Sequence, residues 1–149
     1  MADRPRAPHR GDRGTTLLLF PAAVLVLMVL AAIAVDLSLV HVARRELVRV
    51  CSHAADDAAS VIDQDALRRG EPLTVDLEAA RRVVRAELAA ADLPGRLVGP
   101  VRVEQGPAPA SVVVEATLEV DRIFAPGFGD RSTDRVTARV EGHLLDAPG

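Results

Sequence analysis

One run of nineteen uncharged residues, Leu17 to Val35 (LLLFPAAVLVLMVLAAIAV), constrains this chain more than any other feature. A helix rises about 1.5 Å per residue and a bilayer core is about 30 Å thick, so a span needs about 20 apolar residues. The run meets that length, and Leu37 to Val40 carries it past Asp36. Pro21 either starts the helix or kinks its first turns, and both are tolerated in membranes. Asp36 falls near the outer end of the span, where an acid is far less costly than at the bilayer centre. It reads as a membrane-boundary residue, with a partner contact inside the membrane as the sharper alternative. Arg44 and Arg45 follow, placed to snorkel or to touch anionic headgroups.

The first sixteen residues carry Arg4, Arg6, Arg10 and Arg13, and the far flank carries Arg44, Arg45 and Arg49. The positive-inside rule therefore favours a cytoplasmic N-terminus and an extracytoplasmic C-terminal domain at the cell membrane. A signal peptide competes with this anchor. Ala32-Ile33-Ala34 is an A-x-A site, and a cut between Ala34 and Val35 would release a secreted domain. The apolar stretch before that site is already long for a signal, and the helical pattern runs through the cut, so the anchor is preferred.

The remaining sequence divides accordingly. Residues 1–14 form a basic, proline-containing leader expected to be disordered, 15–40 the transmembrane helix, 41–65 a stalk continuing from it, and 66–149 a small α+β domain. In the stalk, Leu47, Cys51, Ala54, Ala58 and Val61 recur at spacings of three and four, a narrow a/d seam to which Ala55 adds another small side chain. Small residues let a neighbouring helix approach closely, so the seam is a candidate surface for another subunit. The unbroken helix is expected to reach about Asp63. A second helix starts at Asp76 as N-cap and shows an apolar face of Leu77, Ala80, Val84, Leu88 and Ala91 before Pro94-Gly95 stops it.

The period then changes to two. Val112, Val114, Ala116, Leu118 and Val120 share one face of a strand, and Val136, Ala138, Val140 and Leu144 share one face of another. Both read as half-buried antiparallel strands, with Val101 to Val103 as a weaker third. The intervening FAPGFG, Phe124 to Gly129, is a loop whose two aromatics could close the domain edge.

Composition removes several functions. From His41 onward 14 Arg face 18 Asp plus Glu, a net of −4, which is wrong for a nucleic-acid surface. Three Phe are the only aromatics, so no base-stacking platform exists. Cys51 is the lone cysteine and reads as a small seam residue, with an inter-chain disulfide as the alternative. No H-E-x-x-H, G-x-S-x-G or phosphate-loop motif occurs. His53, Asp56 and Asp57 could share a helix face but read as a solvated stripe. No enzyme activity, cofactor, metal or small-molecule substrate is expected.

The segment from Arg13 to Ser60 resembles the TadE/TadG-like pilus-assembly family. The likeness lies in an ordered set: Arg13-Gly14 before the apolar helix, Asp36 in AVDL, Ala43-Arg44-Arg45-Glu46-Leu47, then Ala54-Ala55-Asp56 and Ala58-Ala59. It covers about a third of the chain. The resemblance implies a minor pseudopilin-like accessory subunit of a tight-adherence pilus or related secretion apparatus, with other machinery subunits and the membrane as partners. Some members of such families are cut by a prepilin peptidase, which here would act between Gly14 and Thr15. The chain departs from the prepilin pattern at Leu19, where that pattern has Glu. An anchored ligand-binding or sensing module is the alternative reading.

Overall fold

The computed structural model describes residues 12–70, 72, 74–108, 110–129 and 132–144. Most of the expected leader, residues 1–11, lies outside them. The architecture is α+β: a long helix, two shorter helices and a small antiparallel sheet of four strands.

Helix α1 runs Asp12–Ala59, 48 residues with Pro21 inside it, or about 72 Å at 1.5 Å per residue. It is long and apolar enough to cross a membrane. It stops at Ala59, short of Asp63. There Ser60 donates its hydroxyl to the Asp57 carbonyl at 2.6 Å, and Ile62 pairs with Val75 in an isolated bridge. The chain at Val61 and Ile62 is thus drawn into an extended pairing, and Asp63 is left to cap the short helix α2, Gln64–Arg68, accepting from the amides of Asp65 and Ala66. Asp76 caps α3, Leu77–Ala90, in the same way, through the amides of Glu78 and Ala79.

The strands are β1 Arg96–Leu97, β2 Arg102–Gln105, β3 Ser111–Asp121 and β4 Thr133–His143. β3 is central. Its register with β4 runs from Ser111↔His143 to Asp121↔Thr133. β1 and β2 pair end to end along the other edge of β3, interrupted between Leu97 and Arg102, where Gly99-Pro100 sits. The expected alternation holds on β3: Val112, Val114, Ala116, Leu118 and Val120 are all buried. On β4 Val136 and Ala138 are buried, while Val140 is half-buried and Leu144 lies just past the strand. The outward face carries cross-strand pairs: Glu119 with Arg96 and Arg135, Glu115 with Arg102 and Arg139, and Thr117 with Thr137 between them. Such pairs fix register more than they stabilise.

α1 and α3 lie together on the inner face of the sheet. Ala43, Leu47, Cys51, Ala54, Ala55, Ala58 and Ala59 of α1 are fully buried against Ala80, Val84 and Leu88 of α3 and the inner residues of β3 and β4. This corrects the expected division at residue 65. The second half of α1, expected as a stalk, is the central element of the domain core. The small residues explain how. A Cβ on Gly142 of β4 would fall 2.2 Å from the Ala55 carbonyl carbon, so the strand backbone lies directly on the helix backbone. Larger side chains on either partner would hold them apart.

Candidate functional site

The buried stripe on α1 does not end at Ala43. Followed toward the N-terminus it continues through half-buried Val40 to Asp36, then to half-buried Ala32 and Val29. Asp36 is only 6% exposed, although Val35 and Leu37 beside it are exposed. Among the described residues before Ala43 it is the one buried side chain.

Its carboxylate meets the loop between β3 and β4. Oδ1 accepts from the amides of Ile123 at 2.9 Å and Phe124 at 3.1 Å, and Oδ2 accepts from Phe124 at 3.2 Å and Ala125 at 2.7 Å. The loop then forms a 3₁₀ turn, Ala125–Phe128, whose own N-cap position, Phe124, offers no side-chain acceptor. Asp36 therefore caps this turn from another element. Three consecutive amides point at one carboxylate, the arrangement by which helix N-termini hold anions. An ionised carboxylate only accepts hydrogen bonds, so it matches three donors without an unsatisfied proton. Gly129 closes the turn in the left-handed region at φ 78°, a backbone state glycine adopts without strain. Arg122, just past the end of β3, ion-pairs with Asp134 of β4 and lines the same cleft as Asp36.

The clasp adds a specific partner to Asp36, which the sequence placed near the end of the apolar run. The side chain has a partner, and that partner is the chain's own domain. The loop stands out in the sequence for its two aromatics, but no local signal links it to a residue 87 positions away. The spacing does hold a clue. Counting back from Leu47 by four, three and four gives Ala43, Val40 and Asp36, so the acid belongs to the same seam.

The other candidate residues fall elsewhere. Leu47, Cys51, Ala54, Ala55 and Ala58 are packed inside the domain and Val61 is half-buried beyond the helix end. As a docking surface for another subunit the seam is covered, because the chain's own sheet and α3 fill it. Burial pushes the Cys51 thiol up to about 11, which leaves it protonated and unreactive at neutral pH. Arg44 and Arg45 are exposed about two turns above the clasp. Gly14 and Thr15 lie within α1, and Ala34 and Val35 are exposed on it.

One further polar feature lies between α1 and α3. Burial, then hydrogen bonding with Asp57 and that residue's charge, push Glu87 up to about 7. Glu87 shares a shallow cleft with Arg49 and His53. Among the described residues no group of three or more His, Cys, Asp or Glu side chains is arranged to hold a metal. Comparison with protein-family models, with curated proteins and with solved structures finds no match to this chain.

Proposed function

We propose that the protein is a single-pass membrane protein, N-terminus cytoplasmic and domain extracytoplasmic, that serves as a minor pseudopilin-like accessory subunit of a tight-adherence pilus or related secretion apparatus. Its role is binding, not catalysis. The observation that carries the reading is the Asp36 clasp. The aspartate of AVDL, one of the residues on which the family resemblance rests, welds the apolar half of α1 to the domain without a hinge. A subunit that positions a soluble domain relative to a membrane platform needs such a joint. With the small-residue seam occupied internally, the surfaces left for other subunits are the exposed apolar faces of α1 and the outer face of the sheet.

The test has two parts. Deleting the gene in its host should abolish piliation or secretion, and restoring the full chain should rescue it; normal piliation without the chain would sink the pilus reading. The intact mass of the protein from a membrane fraction then sorts the topology. The full chain, less at most Met1, fits a static anchor. Loss of residues 1–14 fits a processed pseudopilin that tolerates Leu19. Loss through Ala34 would make the product a secreted domain with Asp36 as its second residue, and would overturn the anchored reading.

A further inference from the structure

A chain with three Phe, two of them in its domain, is expected to place the domain's pair in the core, because aromatic side chains carry the largest apolar area available to it. This protein places none there. Phe20 is 74% exposed, Phe124 43% and Phe128 59%, and Ile123 beside them is 63% exposed. Phe20 lies on the apolar half of α1. The other three side chains sit on the loop that Asp36 holds.

The position of that loop along α1 is informative. Phe124 and Phe128 line a cleft of about 390 Å³ with Val29, Ile33 and Leu37 on one side of the contact, and Asp36 and Arg122, each already held by its own partners, complete its lining. They line a second, of about 450 Å³, with Leu25, Met28 and Val35 on the other. The clefts therefore reach back to Leu25, about 16 Å below Asp36 at 1.5 Å per residue, alongside the half of the helix assigned to the membrane. Charged groups begin immediately behind the loop: Arg122 paired with Asp134, and Asp121 at the end of β3.

The loop's backbone is also prepared for an apolar medium. The amides of Ile123, Phe124 and Ala125 donate to Asp36, that of Gly127 donates to the Phe124 carbonyl, and that of Gly129 to the Pro126 carbonyl. Pro126 has no amide proton. Irregular backbone is excluded from lipid chiefly by unpaired polar groups, and here these donors are already paired.

We propose that the Ile123–Phe128 loop is a membrane-inserting tip: Ile123, Phe124 and Phe128 enter the acyl-chain region of the leaflet facing the domain, beside α1. The occupant of the two clefts is lipid hydrocarbon. The tip gives the protein a second point of contact with the bilayer, and Asp36 sets its depth. This inference rests on the anchored reading proposed above.

The chain contains no Trp and no Tyr, so a single introduced indole reports its own surroundings. Full-length protein carrying Phe128→Trp is reconstituted into phosphatidylcholine vesicles with or without acyl-chain-brominated lipid, and its emission is read against acrylamide in the water. Leu27→Trp, away from the loop on α1, is the reference for the anchor, and Leu67→Trp on α2 is the reference for water. The expected result is blue-shifted emission from the indole at position 128, largely extinguished by brominated lipid and barely affected by acrylamide. The indole at position 27 should behave alike, and the one at position 67 should show the reverse. Ile123→Trp repeats the measurement if Phe128→Trp does not fold. Lipid quenching at position 27 with only acrylamide quenching at position 128 overturns the tip and leaves the anchor standing. Acrylamide quenching at position 27 overturns the anchor and the tip with it. Protection from both quenchers at position 128 means another polypeptide, such as a second copy's helix, fills the clefts, and overturns lipid as the occupant.

Discussion

Helix α1 is continuous, yet its two halves obey different rules. From Leu19 to Val35 most side chains are exposed, bulky ones such as Phe20, Leu25, Leu27 and Met28 among them. From Ala43 to Ala59 the inward side chains are mostly small, Leu47 and Val50 excepted, and Ala43, Cys51, Ala54, Ala55, Ala58 and Ala59 have no exposure. Charge separates the halves, since Leu19 to Val35 has none while Ala43 to Ala59 carries Arg44, Arg45, Glu46, Arg49, Asp56 and Asp57, and the size of the apolar side chains separates them further. Bulky residues maximise apolar area toward a fluid, lipid-like environment, whereas alanines permit backbone-to-backbone contact with a strand. A helix thus declares by size what it expects to touch, and Asp36 marks where one environment gives way to the other.

The largest test of that contrast puts the same change in each half. Ala55→Leu enlarges a side chain with no exposure, on a stretch of α1 whose backbone lies so close to Gly142 that even a Cβ on the glycine does not fit. It should destabilise the domain by about 3 kcal/mol or more, as severe overpacking does. Gly142→Val, the same intrusion from the strand side, should match it. Ala34→Leu lies on an exposed face of α1 and should stay within about 0.5 kcal/mol. Urea unfolding in detergent micelles, read by amide exchange in β3, compares all three; equal damage from Ala34→Leu would erase the distinction between the halves.

The boundary itself comes next. Asp36→Ala removes the acceptor of three amides. Exchange at Ile123, Phe124 and Ala125 should accelerate by at least roughly tenfold, the least that losing a charge-assisted bond brings. The inner amides of β3 should keep their protection, because the core does not depend on the loop. Asp36→Asn keeps one carbonyl oxygen and should fall between. A general loss of protection would mean the two halves share one cooperative unit, not a core and a clasp.

The smallest effect concerns Glu87 of α3, half-buried against the second half of α1. Its folded form keeps a proton up to about pH 7, while the unfolded chain releases it near the ordinary value of 4.5. The folded state therefore binds more protons between those values, and stability falls as pH rises through that window. Arg49 and His53 line the same cleft, and Asp57 shares a hydrogen bond with Glu87. Glu87→Gln should flatten the profile and stabilise the protein above pH 7 by about 1 kcal/mol or less, since solvent screens the pair. Thermal melts at pH 5 and pH 8 read the difference, and an unchanged slope in the variant would remove Glu87 as its source.

Periodicity makes most of the elements legible. Val112 to Val120 and Val136 to Ala138 alternate because one face is buried, and Asp76 announces α3 because an N-cap needs a short acceptor. The apolar length of α1 is equally plain. Contacts between distant segments are not. The seam at Ala54 and Ala55 shows that something packs closely there, but not whether it is a partner or the chain's own β4; Gly142, the complementary residue, has no periodic signature of its own. The pairing of Asp36 with Ile123 to Ala125 is hidden for a similar reason. Its donors are backbone amides, which nearly every residue possesses and which no sequence pattern marks. β1 is unreadable because two residues carry no period.

The sheet hairpin grips α1 at two places, the clasp at Asp36 and the bare backbone contact at Ala55, nineteen residues or about 28 Å apart. Two grips on one rod fix its phase. Each residue advances a helix by about 100°, so one alanine inserted between the grips would swing Asp36 well out of reach of its three amides while leaving every side chain unchanged. Sequence identity matters less in that interval than its count. A chain built this way can vary freely in what it presents outward, and hardly at all in how many residues it sets between its two points of hold.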